Sequence, residues 1–262
     1  MPKAVPSPVS KRTRLIYAAS GAIFIIVVWQ VLSMVMNPIN MASPAATVRA
    51  LGDLAFSRVL WVQLLITLRR LVIGLAIGAV LGLVFGVIAG LQPRARSFFE
   101  PIRWLGMTMP AVVLALLAIL WLKGLGDGPV IFLIALIVMP GMYINTVAGI
   151  LAVDPKLLEM GRVYHFPRRL LLTEVYLPGI SSPVMAGLTL ATGIAVRAVI
   201  LGEVLAATSG IGHSFSRAES FLDTPQVFAW VVVLIGLMAL LEFGVLRPLK
   251  RRVTRWRKAE EG

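Results

Sequence analysis

The chain has 262 residues, 58% of them apolar, and a mean hydropathy of +0.90. Soluble domains are about 45–50% apolar, so this composition excludes an ordinary soluble protein and indicates a protein that crosses a membrane several times. The chain has no cysteine, which excludes disulfides and thiolate chemistry, and its two histidines are too far apart to suggest a metal site. We interpret the net charge of +13 as basic loops beside the membrane rather than a nucleic-acid surface.

The first apolar run, Leu15 to Met36, follows a basic segment over residues 1–14. It is long enough to span a bilayer at about 1.5 Å per residue and too long for the apolar part of a signal peptide. We predict an uncleaved first span, with residues 1–14 as a cytoplasmic tail and 15–66 as the first span plus an external loop. Residues 67–246 form the core in this division, and 247–262 form a basic cytoplasmic tail.

The second span, Leu71 to Pro93, carries a glycine at every fourth position. These are Gly74, Gly78, Gly82, Gly86 and Gly90. Small residues at that interval allow another helix backbone to approach closely. The partner is either a second copy of the chain or a helix of the same subunit, and we favour the latter because a bundle must pack its own helices first.

Four further spans are predicted after a short polar loop that contains Arg94, Arg96, Glu100 and Arg103. They cover about 104–122, 128–153, 178–204 and 227–245, and Pro140 is placed to kink the second of these. With the amino terminus inside, 18 of the 25 Lys and Arg residues fall in cytoplasmic segments. That asymmetry satisfies the positive-inside rule, so both termini are predicted to be cytoplasmic.

The segment from Asp154 to Pro178 is the long polar interruption of this apolar chain, with seven charged residues. Asp154 can cap a helix and Pro155 suits its first turn, whereas His165-Phe166-Pro167 breaks it. A second short amphipathic piece is predicted from Arg168. Such a segment between two spans is typical of a docking element.

This segment resembles the EAA loop of ABC-importer permeases. Glu159 lies at the Glu of that pattern, Met160 and Gly161 lie at its two small positions, and Leu177-Pro178 matches its closing Leu-Pro. His165 stands where the pattern has Gly. Further resemblance to the nitrate, sulfonate, bicarbonate and taurine branch comes from Thr67–Arg70, from the Arg197 to Glu203 stretch, and from Ser209-Gly210-Ile211-Gly212.

The resemblance implies an all-α membrane protein with the type I ABC importer permease fold, six transmembrane helices and a cytoplasmic coupling helix. It implies a homodimer in the bacterial inner membrane, a periplasmic or lipid-anchored solute-binding protein, and separate ATP-binding cassette subunits that hold ATP and magnesium. The residues implied in coupling to the ATPase are Glu159, Met160, Gly161, Tyr164, His165, Leu177 and Pro178. Lipid surrounds the spans, and no nucleic acid is expected as a partner.

No nucleotide-binding, hydrolase or zinc-protease motif is present, so we predict no catalytic residue, no metal and no cofactor in this chain. Candidates for the translocation path or its gating are Arg197, Glu203, Met109 and Trp121. A charge such as Arg197 inside a span should face the bundle interior or water. Its role is either contact with an anionic solute or a structural ion pair with Glu203 or a neighbouring span.

The sequence therefore predicts a permease that imports a small anionic solute. Thiamine-precursor pyrimidines, riboflavin and aromatic acids are alternative solutes for the same machinery. An ion-coupled secondary carrier is the alternative of another class, and it would need a buried acidic relay. Glu203 is the candidate for that relay, with Glu242 at a span end. A membrane scaffold that transports nothing is the third alternative.

Overall fold

A computed structural model describes residues 11–248, and these residues are helical apart from short connections. The helices are α1 Lys11–Val35, α2 Pro44–Phe56, α3 Arg58–Leu91, α4 Pro93–Thr108, α5 Ala111–Leu122, α6 Gly128–Leu151, α7 Pro155–Val163, α8 Arg168–Leu170, α9 Leu177–Ala206, α10 Ile211–Ser220 and α11 Thr224–Leu240. A π-helical turn, Leu171–Tyr176, joins α8 to α9, and another, Leu241–Leu246, follows α11. Most of the two predicted cytoplasmic tails lies outside the described residues.

Five helical stretches in the described chain are long and apolar enough to cross a membrane. They are Leu15–Val35, Arg58–Leu91, Gly128–Leu151, Leu171–Ala206 and Thr224–Gly244. The sixth predicted span corresponds to α4 and α5, which meet the same criteria together but are bent by 104°. The bundle therefore has six spans when this bent pair is counted as one.

The third span differs from the prediction in two ways. Its polar approach is not a loop, because residues 93–108 form α4. The continuous helix predicted over 104–122 is broken between Met109 and Pro110, where Met109 is extended with φ −65° and ψ 127°. Proline lacks an N–H and disfavours helical backbone at the residue before it, which accounts for the break.

The external loop predicted after the first span is largely helical. Ser43 caps α2 by accepting a hydrogen bond from the Ala46 N–H, and Pro44 occupies the first turn. Ser57 then caps α3, which begins at Arg58. The boundary predicted between residues 66 and 67 consequently lies inside one continuous helix.

The glycines of α3 pack against α6 of the same subunit. A Cβ built on Gly82 would lie 2.5 Å from the Met139 carbonyl oxygen and 2.5 Å from the Met142 Cβ. The other four glycines meet α6 in the same way, each with a contact of 3.0 Å or less. The prediction of packing within the subunit is confirmed, since no side chain fits between these two helices.

The core is built on α3, α6 and α9. One cluster joins them through buried aliphatic side chains, among them Leu71 from α3, Val138 from α6 and Val199 from α9. A second cluster joins α2, α10 and α11 around Trp230, which is 2% exposed. α1 lies at the edge, where the Trp29 indole N–H donates to the Ala42 carbonyl at 2.9 Å.

Candidate functional site

The predicted docking segment folds as α7 followed by a tight turn. The Asp154 carboxylate accepts a hydrogen bond from the Lys156 N–H at 2.9 Å, and Pro155 occupies the first turn, as the sequence predicted. Glu159, Met160 and Tyr164 are exposed on α7 and its C-cap, while Gly161 is buried. α7 therefore exposes a charged and an aromatic side chain, and the face that carries Gly161 is the buried one.

His165 closes α7 in a left-handed conformation with φ 50°. Its N–H donates to the Arg162 carbonyl at 3.1 Å, and the next N–H, from Phe166, donates to the Gly161 carbonyl at 2.8 Å. These two bonds form a Schellman motif, in which the left-handed position is usually glycine. The turn that glycine provides in the EAA pattern is therefore made here by histidine, against the small steric cost of a side chain at positive φ.

Gly161 joins α7 to the start of the fifth span. A Cβ at Gly161 would lie 2.6 Å from Leu171 Cδ2, so the helix approaches the π-helical turn with no room for a side chain. The second amphipathic piece is not a separate element, because α8 and that turn run directly into α9. Leu177 and Pro178 are exposed in the first turn of α9.

A buried polar network lies at the other end of the bundle, around Glu203. This side chain is 0% exposed. Its carboxylate accepts hydrogen bonds from the Thr67 hydroxyl at 2.9 Å, from Arg70 Nη1 at 2.8 Å and from the Gly212 N–H at 3.0 Å. The charge in the fifth span is thus compensated by an arginine of α3, and not by Arg197.

Arg70 extends the network towards α6. Its guanidinium is 3% exposed and also donates to Asp127, to the Ser209 carbonyl at 2.7 Å and to the Ser209 hydroxyl at 2.8 Å. Arg69 binds the same Asp127 from a more exposed position. Partial burial alone would raise the pKa of Asp127, but the hydrogen bonds and charges of the two arginines lower it below its ordinary value.

The turn over residues 209–212 is locked onto α3 and α9. Gly210 has φ 103°, and its N–H donates to Gln63 Oε1 at 2.5 Å. The Ile211 N–H donates to Thr67 Oγ1 at 2.9 Å. A Cβ on Gly210 would overlap the Glu203 carboxylate. The Thr67–Arg70 stretch of α3 therefore forms one site with Glu203 and the 209–212 turn, more than 130 residues further along the chain.

Arg70 and Asp127 are the site residues that the sequence reasoning missed. In the sequence, Arg70 belongs only to the Thr67–Arg70 stretch that resembles the family. A signal was available, because Glu203 in a span needs a cationic partner, and Arg70 lies near the same end of its own span. Asp127 precedes α6 and carries no such signal, because its pairing requires the approach of α3 to the start of α6.

The three other pathway candidates lie on or beside α5 and α9. Arg197 is exposed on the α9 face that carries Leu190 and Ile194, and it makes no ion pair with any other residue in the described range. The structural ion pair considered for it is therefore not formed with Glu203 or with any other residue between 11 and 248. Met109 lies at the α4–α5 break, and Trp121 is 60% exposed with its ring 6.2 Å from Phe132.

Residues 82–255 match the family described as the binding-protein-dependent transport system inner membrane component. The chain belongs to this family. The permease is 32% identical to a protein named as the aliphatic sulfonates transport permease SsuC of Bacillus subtilis, over 91% of this chain and 86% of that one. It is 35% identical to its namesake in Escherichia coli, over 90% and 89% of the two chains. The taurine transport system permease protein TauC of Escherichia coli is 28% identical, over 90% and 87%.

Solved structures establish the fold of the permease. A chain of the MetNI methionine ABC transporter in an inward-facing conformation matches with a TM-score of 0.63 and 18% identity, over 71% of this chain and 92% of that one. A chain of an amino acid ABC transporter matches with a TM-score of 0.60 and 15% identity, over 80% and 97%. The predicted type I ABC importer permease fold is confirmed.

Proposed function

We propose that this permease forms the translocation path of an ATP-driven importer for a small sulfonate-like anion. Its relatives named for aliphatic sulfonates and taurine cover nearly the whole chain, and this similarity carries the proposal. We further propose that two copies assemble in the inner membrane, with α7 and both termini on the cytoplasmic side. A solute-binding protein delivers the anion from the other side.

The form of α7 supports its role as the coupling helix. A helix that transmits force from an ATPase must be exposed where it docks and rigid where it joins the spans. α7 exposes Glu159 and Tyr164, and it is held by a buried glycine contact to the turn that starts the fifth span. Movement of a docked ATPase would therefore be passed directly to α9, and ATP with magnesium stays on that separate subunit.

The position of Arg197 supports the proposal that the solute is an anion. It is a cation on an otherwise apolar face of α9, where Leu190 and Ile194 flank it at helical spacing. A charge at membrane depth is costly unless it faces water or an anion. We therefore assign the exposed α9 face to the path, with Arg197 as a solute contact, and we keep Met109 and Trp121 as further candidates for the path.

The ion-coupled carrier is the weaker alternative. Glu203 accepts hydrogen bonds from Thr67, Arg70 and Gly212, so its carboxylate is committed to the structure. Glu242 is exposed and lies 3.9 Å from Arg247, near the end of the last described helix. Neither acid is placed as a buried proton relay. A formylaminopyrimidine transport permease, ThiX of Halalkalibacterium halodurans, is 26% identical, and this keeps a neutral pyrimidine as the alternative solute.

The test is uptake by vesicles that contain the permease, its ATPase and its binding protein. We expect ATP-dependent accumulation of radiolabelled taurine or an alkanesulfonate that persists when an uncoupler removes the proton gradient. Arg197→Gln should lower uptake at least tenfold with assembly unchanged, since it removes the charge from the path. Glu219→Gln, an exposed change outside the bundle core, is the control.

Three results would contradict parts of the proposal. Uptake that the uncoupler abolishes at constant ATP would indicate an ion-coupled carrier. Uptake of formylaminopyrimidine in place of sulfonates would move the solute to the neutral class, and an unchanged rate in Arg197→Gln would remove that residue from the path.

A further inference from the structure

The hydroxyl of Tyr143 is buried without a hydrogen-bond partner among the described residues. Tyr143 lies on α6 and is 6% exposed, so its hydroxyl has lost water and gained nothing in return. An unpaired buried hydroxyl is unfavourable and usually marks a missing water, ion or ligand. The surroundings of this atom therefore indicate what it binds.

Two cavities meet at Tyr143, between α4 and α6. The first has a volume of about 220 Å³ and is lined by Arg96, Glu100 and Arg103 of α4 and by α6 up to Leu151. The second, of about 170 Å³, is almost wholly apolar and is lined by Phe85, Phe99, Ile102, Met139 and Pro140. Tyr143 and Arg103 line both cavities. The first, called the polar chamber for its three charged side chains, is otherwise lined by Tyr143 and aliphatic residues of α6. A chamber with charges on one wall and an apolar chamber that share two residues suit an amphiphile.

The polar chamber has hydrogen-bond donors to spare. Arg96 uses Nε and Nη2 on the Ala89 and Gly90 carbonyls at 3.2 Å, which leaves its Nη1 without a partner in the described chain. Arg103 binds Glu100 through Nε and Nη2, and its Nη1 has only a 3.8 Å contact with Met107 Sδ. With two guanidiniums and one carboxylate, the chamber has a net charge of +1, which matches one phosphodiester.

The two chambers lie at the depths that a phospholipid requires. α6 runs towards α7, and the polar chamber reaches its last residue, Leu151, at that end. The apolar chamber lies nearer the middle of α6, at Met139 and Pro140. A lipid of this leaflet would place its phosphate near the α7 end and extend an acyl chain towards the bilayer centre.

We propose that the groove between α4 and α6 binds one anionic phospholipid. The phosphate accepts hydrogen bonds from Arg96, Arg103 and the Tyr143 hydroxyl, and an acyl chain fills the apolar chamber. Basic pockets between spans on the cytoplasmic side are a recurring form of headgroup site. Because α4 precedes the break at Met109–Pro110, the lipid would steady the bent third span. This inference does not depend on which solute is transported.

The experiment is native mass spectrometry of the full-length permease titrated with phosphatidylglycerol or phosphatidylcholine of the same acyl chains. We expect one phosphatidylglycerol to bind at least fivefold more tightly than phosphatidylcholine. Tyr143→Phe should weaken phosphatidylglycerol binding about tenfold, the effect of one hydrogen bond to a charged group, with the melting temperature unchanged because the hydroxyl has no internal partner. Arg103→Gln should weaken it about fivefold or more.

Arg94→Gln is the matched control, since Arg94 is an exposed arginine of the same helix that lines neither chamber. Its binding should stay within about twofold of the unmodified protein. Equal binding of the two lipids, or equal losses in Arg94→Gln and Arg103→Gln, would indicate general charge attraction and overturn the site. Displacement of the lipid by inorganic phosphate at equal concentration would show that the donors select a free anion. Unchanged binding in Tyr143→Phe would remove the hydroxyl from the site.

Discussion

Replacing Arg70 by leucine should destabilise the permease more than any neighbouring charge removal. Arg70 is 3% exposed and holds Glu203, which is fully buried. Breaking a buried pair by removing one partner costs about 3–5 kcal/mol, because the other charge is left unpaired. Glu203 would keep the donors Thr67 and Gly212, so we expect the lower part of that range, about 3 kcal/mol.

Arg69 provides the control within the same helix. It binds the same Asp127, but its side chain is 58% exposed, and an exposed pair contributes only about 0–1 kcal/mol. We expect Arg70→Leu to lower the melting temperature of the solubilised permease by roughly 6–12 °C, the shift that 3 kcal/mol gives in a chain of this size. Arg69→Leu should lower it by about 4 °C at most.

Thermal unfolding followed by tryptophan fluorescence measures both variants. The double variant Arg70→Leu/Glu203→Gln should recover part of the loss, because glutamine carries no charge and still accepts the two remaining hydrogen bonds. Equal melting temperatures for Arg70→Leu and Arg69→Leu would refute the reasoning, and so would a double variant no more stable than Arg70→Leu alone.

Three other predictions concern the contact between α3 and α6, the polar network around Glu203 and Asp127, and α7. Gly82→Leu should prevent accumulation of folded subunit, because overpacking the contact between α3 and α6 lowers the stability of the fold by about 1–3 kcal/mol or more. The control Gly141→Ala, at a glycine with open space around it, should fold normally, and a stable Gly82→Leu subunit would contradict the packing. Because the pKa of Asp127 is lowered in the folded protein, its ionised carboxylate stabilises the fold at pH values above the ordinary aspartate pKa of about 3.9. This stabilisation should be lost as the pH falls below that value. Asp127→Asn should remove this part of the pH dependence of the melting temperature. Glu159→Lys should release the ATPase from the purified complex with the bundle folded, and a complex with full subunit ratio and solute-stimulated ATP hydrolysis would exclude the docking role.

The helical bundle was largely predictable because its determinants are local. Apolar runs longer than a bilayer and proline or serine caps each depend on residues close together in the chain. The start of α7 at Asp154-Pro155 followed from capping alone. The glycine interval of α3 likewise indicated a close helix contact, although the identity of the partner helix came from the fold.

The errors arose where neighbouring elements decide the backbone. The continuous third span is wrong at Met109-Pro110, where the proline gives a local reason for a break. The angle of 104° belongs to the folded chain, in which Gly106 of α4 lies close to Pro140 of α6. The second docking piece was predicted to be separate, yet Gly161 and Leu171 bring it onto α7 and continue it into α9. His165 was noted as a departure from the pattern, and the structure shows that it adopts the left-handed turn itself.

By itself, the sequence determined the membrane character of this permease, most of its helices and the polar segment over residues 154–178, because these follow from hydropathy, charge and capping within short stretches. Only the tertiary structure decided which charges compensate one another. Glu203 is paired with Arg70, 133 residues away, and Arg197 is left facing outward. Ion pairs inside a bundle depend on which helices are neighbours and at what depth they meet, and the order of residues along one chain does not contain that information.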